Sequence, residues 1–258
     1  HTKAIKKIGW VHTDYTVEKI DEKYEYNNWK DLDYIATVSD ECKNSFLTIF
    51  FFFFDKMLVI ENILDPEFIR LQAYEFDAAI DMPKCDNTFN LCTIGRYCNA
   101  KAFDWAIDAC EILVIKGYKF KWYAIGYGPA EKMLKEKIIE KQLTQYFIFL
   151  GKKTNPYPYI KACDIYVQPS RYEGKAVTVR EAQILGKPVL ITNFPTAKSQ
   201  LYHGVDGHIC ECSVDGIVEG IKLLITDTEY REKLVDNAKK YNYGNRQEVN
   251  KIYRLINR

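Results

Sequence analysis

Neither sign of charge dominates this chain: 36 lysines and arginines stand against 35 aspartates and glutamates, a formal net charge of +1 over 258 residues. That balance excludes a global field that would recruit nucleic acid, and no nucleic-acid partner is expected. Any anion site must be local. There is no CxxC pair among the eight cysteines, Cys42, Cys85, Cys92, Cys98, Cys110, Cys163, Cys210 and Cys212, which removes the common zinc and dithiol-redox patterns. Their scatter through apolar segments, in a chain large enough to fold without staples, predicts reduced, mostly buried thiols and a cytoplasmic protein. Cys210 and Cys212 lack a second His/Cys pair, so a strand end is the favoured reading and no metal is expected. No apolar run is long enough to cross a bilayer: the longest, Phe46 to Phe54, stops at Asp55 and Lys56, about half of what a spanning helix needs. Its phenylalanine tract, Phe50 to Phe54, is an aggregation hazard unless covered, and the sequence gives it no functional account. The opening HTKAIKKIGW has neither an apolar core nor a small-residue cleavage site, so it does not read as a secretory signal. Without Met, and opening almost directly on a strand, it reads as the interior of a longer chain.

What is present, 47% hydrophobic and 28% charged residues, is the composition of a globular protein of one or two domains. From Phe89 onward short β-branched and aromatic runs alternate with helical periods, the pattern of βαβ units on a parallel sheet. Strands are predicted over 89–94, 120–125, 146–150, 165–168, 188–191 and 207–210. Phe103, Ile107, Cys110 and Val114 recur at helical spacing over 103–116, and Pro129 opens another helix with Leu134 and Ile138 inward. Gly95, Gly126 and Gly151 each follow a strand's last apolar residue. In an open parallel sheet the ligand crevice lies beyond the strands' carboxyl ends, where glycine lets backbone approach a phosphate.

Residues 1–88 read as the rear part of another α/β domain. They hold a strand at IGWVH, a Trp/Tyr/Asn-rich loop over 24–29, a strand over 34–38 followed by Ser39 as a helix cap, and a strand over 57–60. A linker is expected near Pro83 and Asp86–Asn87.

The most informative stretch is PSRYEGKAVTVREAQILGKPVL, Pro169 to Leu190. A strand delivers Pro169 and Ser170 into a loop tipped by Glu173 and Gly174, and a helix starts near Val177 with Glu181 in its early turns. The amides of Gly174, Lys175, Ala176 and Val177 would face an anion held there, each bond to a charged oxygen being worth ~1.5–3 kcal/mol.

This stretch resembles the glutamate-x7-glutamate motif of family-4 (group 1) retaining glycosyltransferases, and other motifs extend the likeness in order. GRYCNAKAFD (Gly95 to Asp104) is similar to the family's phosphate-binding Gly-Arg and Lys, and AIGYGP (Ala124 to Pro129) to its glycine-proline turn. FLG (Phe149 to Gly151), EAQILGKPVL and GVDGHIC (Gly204 to Cys210) continue the series over residues 89–241. The resemblance implies an α/β protein of GT-B type: a Rossmann-like donor-binding domain over 89–241, a partial acceptor-side domain over 1–88, and a helix over 242–258 returning toward it. It implies that Arg96 and Lys101 bind the diphosphate of a nucleotide sugar in place of a metal, that Glu181 takes the ribose hydroxyls, and that Glu173 contacts the donor sugar. Gly95, Gly126, Gly128, Gly151, Ser170, Gly174, Lys175, Ala176 and Val177 would complete the donor site. UDP-sugar is favoured and GDP-sugar is an alternative. No cofactor is expected. A weaker likeness, IGWVHTDY (Ile8 to Tyr15), makes His12 a catalytic candidate across from the donor sugar.

The pattern departs from the family at Ala102, where glycine is frequent, and at Lys175 and Ala176, which replace an aromatic and a small residue. The closest subfamily pattern is that of bacterial surface-polysaccharide enzymes, with a glycan or lipid-linked acceptor. Lys132, Lys135 and Lys137 offer a contact to the cytoplasmic membrane face, although the alternating Glu131, Glu136 and Glu140 favour a solvated face. Two alternatives stay open: a nucleotide-sugar epimerase, and a donor-binding fragment that transfers nothing.

Overall fold

The computed structural model describes residues 6–16 and 20–257; the start of the basic amino-terminal stretch, residues 1–5, lies outside the described residues. The chain divides into two units, one of His1–Asp65, Tyr172–Lys175 and Gly244–Arg258, the other of Pro66–Arg171 and Ala176–Tyr243.

In the first unit, β1 (Ile8–Val11), β2 (Tyr34–Thr37) and β3 (Met57–Val59) form a parallel sheet in that order. The segment expected as a loop over 24–29 is instead a helix, α1 (Glu22–Trp29). Its cap explains the difference: the Asp21 carboxylate accepts from the Lys23 and Tyr24 amides, satisfying donors that the helix leaves open. One turn on, Glu25 accepts from the Trp29 indole at 2.7 Å and from the Tyr15 hydroxyl at 2.8 Å. These bonds outweigh the poor helix propensity of the Asn-rich stretch. Ser39 caps α2 (Asp40–Ile49), accepting from the Cys42 amide.

The phenylalanine tract leaves α2 as a turn of 3-10 helix over Phe51–Lys56. That geometry sorts the rings. Phe46, Phe50 and Phe53 are buried with Val11, Tyr15 and Ile35, whereas Phe51, Phe52 and Phe54 remain exposed. The tract is therefore half core and half surface. The segment 244–258 completes this unit: Asn245 accepts from the Leu64 amide, Glu248 from the Glu61 amide, and Lys251 donates to the Val59 carbonyl. Leu255 is buried with Ala36 and Ile60.

In the second unit the order along the chain is α3 (Pro66–Gln72), β4 (Phe89–Ile94), α4 (Phe103–Ile115), β5 (Phe120–Ile125), α5 (Glu131–Glu140), β6 (Phe147–Gly151), α6 (Tyr157–Ala162), β7 (Ile165–Gln168), α7 (Val177–Ile184), β8 (Val189–Thr192), α8 (Ala197–Gln200), β9 (His208–Cys210), α9 (Val214–Thr226) and α10 (Thr228–Ala238). The strands form one parallel sheet ordered β6-β5-β4-β7-β8-β9. β4, β5 and β7 have the predicted bounds, β6 and β8 are each shifted by one residue toward the carboxyl end, and β9 starts one residue later. Both sheet faces are covered, which is why these strands read as unbroken apolar runs. Leu91, Trp122, Val167 and Leu190 pack under α4, α5 and α9, while Cys92, Tyr123, Tyr166 and Val189 pack under α6 and α7. The buried Trp122 indole donates to the Thr93 hydroxyl and that hydroxyl to the Val167 carbonyl, both at 2.8 Å, tying β5, β4 and β7 together.

The boundary expected at residue 88 falls at 65 instead. Ala78 and Met82 are buried in the second unit's core, and Asp81 accepts from Lys153 and from the Tyr159 hydroxyl. Hence the turn residues near Pro83 and Asp86–Asn87 lie inside this unit and do not link two. Of the cysteines, Cys42, Cys92, Cys110, Cys163 and Cys210 are buried, and Cys85 is exposed. Among the described residues no helix is long and apolar enough to cross a membrane.

Candidate functional site

β4 and β7 are neighbours in the sheet, while the strands that follow them in sequence, β5 and β8, lie on their outer sides. The connections after β4 and β7 thus run to opposite sides, and the strand order reverses between them, the general location of ligands in such sheets. The loop after β4 carries Gly95, Arg96 and a 3-10 turn over Asn99–Lys101. Lys101 folds back over the strand end: a Cβ added at Gly95 would stand 3.3 Å from Lys101 Cδ. Arg96 is exposed and makes no ion pair among the described residues. The turn closes on Ala102 with φ 49° and ψ 41°, the left-handed region that favours glycine.

Sequence reasoning missed the residue that holds this turn. The Arg171 guanidinium donates to both Asp104 carboxylate oxygens, at 2.8 and 2.5 Å, and to the Asn99 carbonyl at 2.9 Å, and lies 4.1 Å over the Trp105 ring. Its own amide donates to the Ala100 carbonyl at 2.8 Å. Arg171 therefore fastens the turn bearing Lys101 to the loop after β7, through a planar fork that lysine cannot reproduce. Burial pushes the Asp104 carboxyl upward, but the Arg171 bonds and charge outweigh it and hold Asp104 below its usual range. A lowered carboxylate stabilises the fold above its unfolded value near ~3.9 and loses that contribution as pH falls through its folded value. Asp104→Asn is expected to cost ~1–2 kcal/mol at pH 7, with the gap to the parent closing in urea melts below pH 4.

The glycines of the loop after β5 have a packing role. A Cβ at Gly126 would lie 1.9 Å from the Gly95 carbonyl oxygen, and one at Gly128 would lie 2.4 Å from the Tyr97 carbonyl oxygen. Their absent side chains admit the neighbouring loop's backbone. The amides of Gly95, Gly126 and Tyr97 donate to Ile125, Gly151 and Tyr127 respectively, so the loops after β4, β5 and β6 are laced together. Gly151 itself has φ +70° with nothing within 4 Å of an added Cβ.

Glu181 lies in α7, 8% exposed, and its carboxylate accepts from the Tyr157 hydroxyl at 3.2 Å. Burial raises its pKa, and the Tyr157 bond offsets part of that. The same burial, with the adjacent Glu181 charge, pushes the Tyr157 phenol up to about 12, so it stays a donor. Tyr157 is the second residue missed; the Asn155-Pro156 cap preceding α6 was its only signal, with Asn155 accepting from the Tyr157 amide. Ser170 is fully buried, its hydroxyl accepting from Gln168 at 2.9 Å. α7 starts at Val177 after an extended Ala176, with no side-chain cap.

The remaining candidates belong to the first unit. His12 is exposed just beyond β1, and its carbonyl oxygen would lie 2.1 Å from a Cβ at Gly174. Glu173 is 7% exposed. The Lys175 ammonium pairs with Glu61 at 2.5 Å, so its charge is largely neutralised by a carboxylate of its own unit. On α5, Lys135 pairs with Glu131, Lys132 with Glu136, and Lys137 with Asp108. Among the described residues no cluster of three or more His, Cys, Asp or Glu side chains is placed to hold a metal.

Comparison with known proteins agrees with this geometry. The family model described as glycosyl transferases group 1 matches residues 81–241. An uncharacterized glycosyltransferase of Methanocaldococcus jannaschii is 26% identical over 93% of this chain and 62% of its own length. The capsular polysaccharide biosynthesis glycosyltransferase CapM of Staphylococcus aureus is 29% identical over 60% of this chain and 41% of its own length. Among solved structures, S. aureus TarM superposes with a TM-score of 0.78 at 19% identity, covering 98% of this chain and 51% of TarM. Anabaena HepE gives 0.77 at 18% identity over 90% of this chain and 65% of HepE. The chain thus spans about half to two thirds of these structures, and the fold is of GT-B type. With the family's model covering more than half of its length, and relatives in polysaccharide biosynthesis beside it, this chain belongs to the group 1 glycosyl transferases.

Proposed function

We propose that the second unit binds the nucleoside diphosphate of a nucleotide sugar, and that the whole protein transfers the sugar, with retention, to a glycan or lipid-linked acceptor in cell-surface polysaccharide synthesis. The observation that carries this reading is the Lys101 stem folded over Gly95 at the sheet's switch point, next in the loop to the exposed Arg96. A guanidinium and an ammonium on one short loop suit a pyrophosphate: the fork binds two oxygens, the ammonium acts as a point charge, and both gain energy as negative charge grows on the leaving group. In this reading they take the part a metal ion plays elsewhere. Glu181, steadied by Tyr157, accepts from the ribose hydroxyls. Glu173 and His12 address the sugar and the acceptor side. UDP is the favoured base carrier because the TarM and HepE crystals were both obtained with UDP. The family match favours transfer over the epimerase alternative.

Comparison of a ribonucleotide with its 2′-deoxy analogue tests the ribose contact. UDP is expected to bind the parent ~10-fold more tightly than 2′-deoxy-UDP, one hydrogen bond to a charged group, and Glu181→Gln should shrink that ratio. Equal binding of both nucleotides to the parent would remove the contact. Tyr157→Phe is expected to weaken UDP while leaving the fold intact, since only the hydroxyl is lost.

A further inference from the structure

The second unit contains a cavity of about 290 Å³, lined by α3, the carboxyl end of α7 and the segment following α10. Its lining includes three cations, Arg70, Lys161 and Lys239, and three aromatic rings, Tyr74, Tyr241 and Tyr243. Two of the three cations have no carboxylate partner among the described residues. Lys239 pairs with Asp236 at 3.2 Å, but Arg70 and Lys161 make no ion pair among the described residues, and no carboxylate lines the cavity. Lys161 instead sits 3.5 Å over the Tyr74 ring, a cation–π contact that fixes the ammonium without neutralising it. Tyr241 and Tyr243 stand side by side with centroids 6.0 Å apart, 44% of Tyr241 remaining exposed. Tyr243 is braced from behind by Arg180, 4.9 Å over its ring, and donates to Asp206 at 3.1 Å.

We propose that this cavity binds an acidic saccharide unit, a sugar carrying a phosphate or a carboxylate. Arg70 on α3 and Lys161 on α6, neither paired with a carboxylate among the described residues, make the cavity attractive to an anion, and the phenol rings provide flat apolar surfaces with polar edges, matched to the C–H face and hydroxyl rim of a sugar. The volume lies at the low end of small-molecule sites, the size of one sugar residue with its charged substituent. Neither Arg96 nor Lys101 lines it, so it is a second site. It is linked to the proposed donor site by a single rigid element: α7 begins after the glutamate loop and ends at Ile184 in the cavity wall, a span of ~12 Å for its eight residues. A second saccharide site at that distance suits an enzyme acting on a charged glycan, and in that respect the inference rests on the proposed function.

Calorimetric titration of the protein with glucose 6-phosphate, glucuronate, neutral glucose and inorganic phosphate tests it, alongside an Arg70→Gln/Lys161→Gln variant and an Arg96→Ala/Lys101→Ala variant. Both acidic sugars, or one of them, are expected to bind at least 10-fold more tightly than glucose and than phosphate. That preference should fall at least 10-fold in Arg70→Gln/Lys161→Gln and persist in Arg96→Ala/Lys101→Ala. Preference for one acidic sugar identifies the charged substituent. The proposal is overturned if none binds, if phosphate alone binds as tightly as the acidic sugars, or if binding survives Arg70→Gln/Lys161→Gln. Loss only in Arg96→Ala/Lys101→Ala also overturns it, because the sugar phosphate is then held at the donor loop. UDP binding in Arg70→Gln/Lys161→Gln should match the parent, and this separates failure of the cavity from failure of the donor reading.

Discussion

Replacing Arg96 by Ala together with Lys101 by Ala is expected to abolish most nucleoside-diphosphate affinity. Each side chain supplies charge-assisted bonds worth ~1.5–3 kcal/mol, so losing both costs ~3–6 kcal/mol, or roughly a hundredfold to ten-thousandfold in the dissociation constant. The fold should tolerate the change at Arg96, whose side chain is exposed. Lys101 packs its stem over Gly95, so Lys101→Met is the sharper single variant: it keeps the apolar stem and deletes the ammonium. If Arg96→Ala/Lys101→Met binds UDP within threefold of the parent while its melt is unchanged, the diphosphate is held elsewhere.

The second large effect is on stability. Gly126→Ala pushes a methyl to within 1.9 Å of the Gly95 carbonyl oxygen at φ +152°, and no flexible side chain can yield there because the obstacle is backbone. Overpacking and backbone strain together predict a loss of ~3–5 kcal/mol. Gly128→Ala, 2.4 Å from the Tyr97 carbonyl oxygen, should cost ~1–3 kcal/mol. Gly117→Ala is the control: its φ of +80° carries the left-handed penalty, but nothing lies within 4 Å, so only ~1–2 kcal/mol is expected. Urea denaturation of the three variants separates close approach from conformation. Equal losses at Gly126 and Gly117 would show that the laced loops do not depend on the missing Cβ.

These glycines also show how much of the molecule was readable from its sequence. The placement of Gly95 and Gly126 after apolar runs marked the ends of β4 and β5, because a strand covered on both faces leaves an uninterrupted run and its end is abrupt. What the sequence did not register is their packing role: Gly126 and Gly128 admit the backbone of the loop after β4. Arg96 and Lys101 were singled out by motif order, and both lie on the loop after β4. Arg171 was not, since its meaning comes from Asp104, Asn99 and Trp105, far along the chain. The same holds for the unit boundary, set by the burial of Ala78 and Met82 and by the bonds of Asp81, which local composition does not register. α1 was lost because its Tyr, Asn and Trp residues weaken the helical signal of Glu22, Lys23 and Glu25, and the deciding features, the Asp21 cap and the Glu25 bonds, are single side chains. Lys175 was read as an added cation of the donor site, and its pairing with Glu61 joins residues remote in sequence.

The claim on which the account rests is that the loop after β4, with Arg96 and Lys101, recognises pyrophosphate. Calorimetric titration of the unaltered protein with UDP and with UMP tests it most directly, because the two ligands differ only by the β-phosphate. The account predicts that UDP binds at least tenfold more tightly than UMP, one charge-assisted contact or more, and that this advantage disappears in Arg96→Ala/Lys101→Met. Equal affinity for UDP and UMP, or an advantage that survives in the double variant, would contradict it.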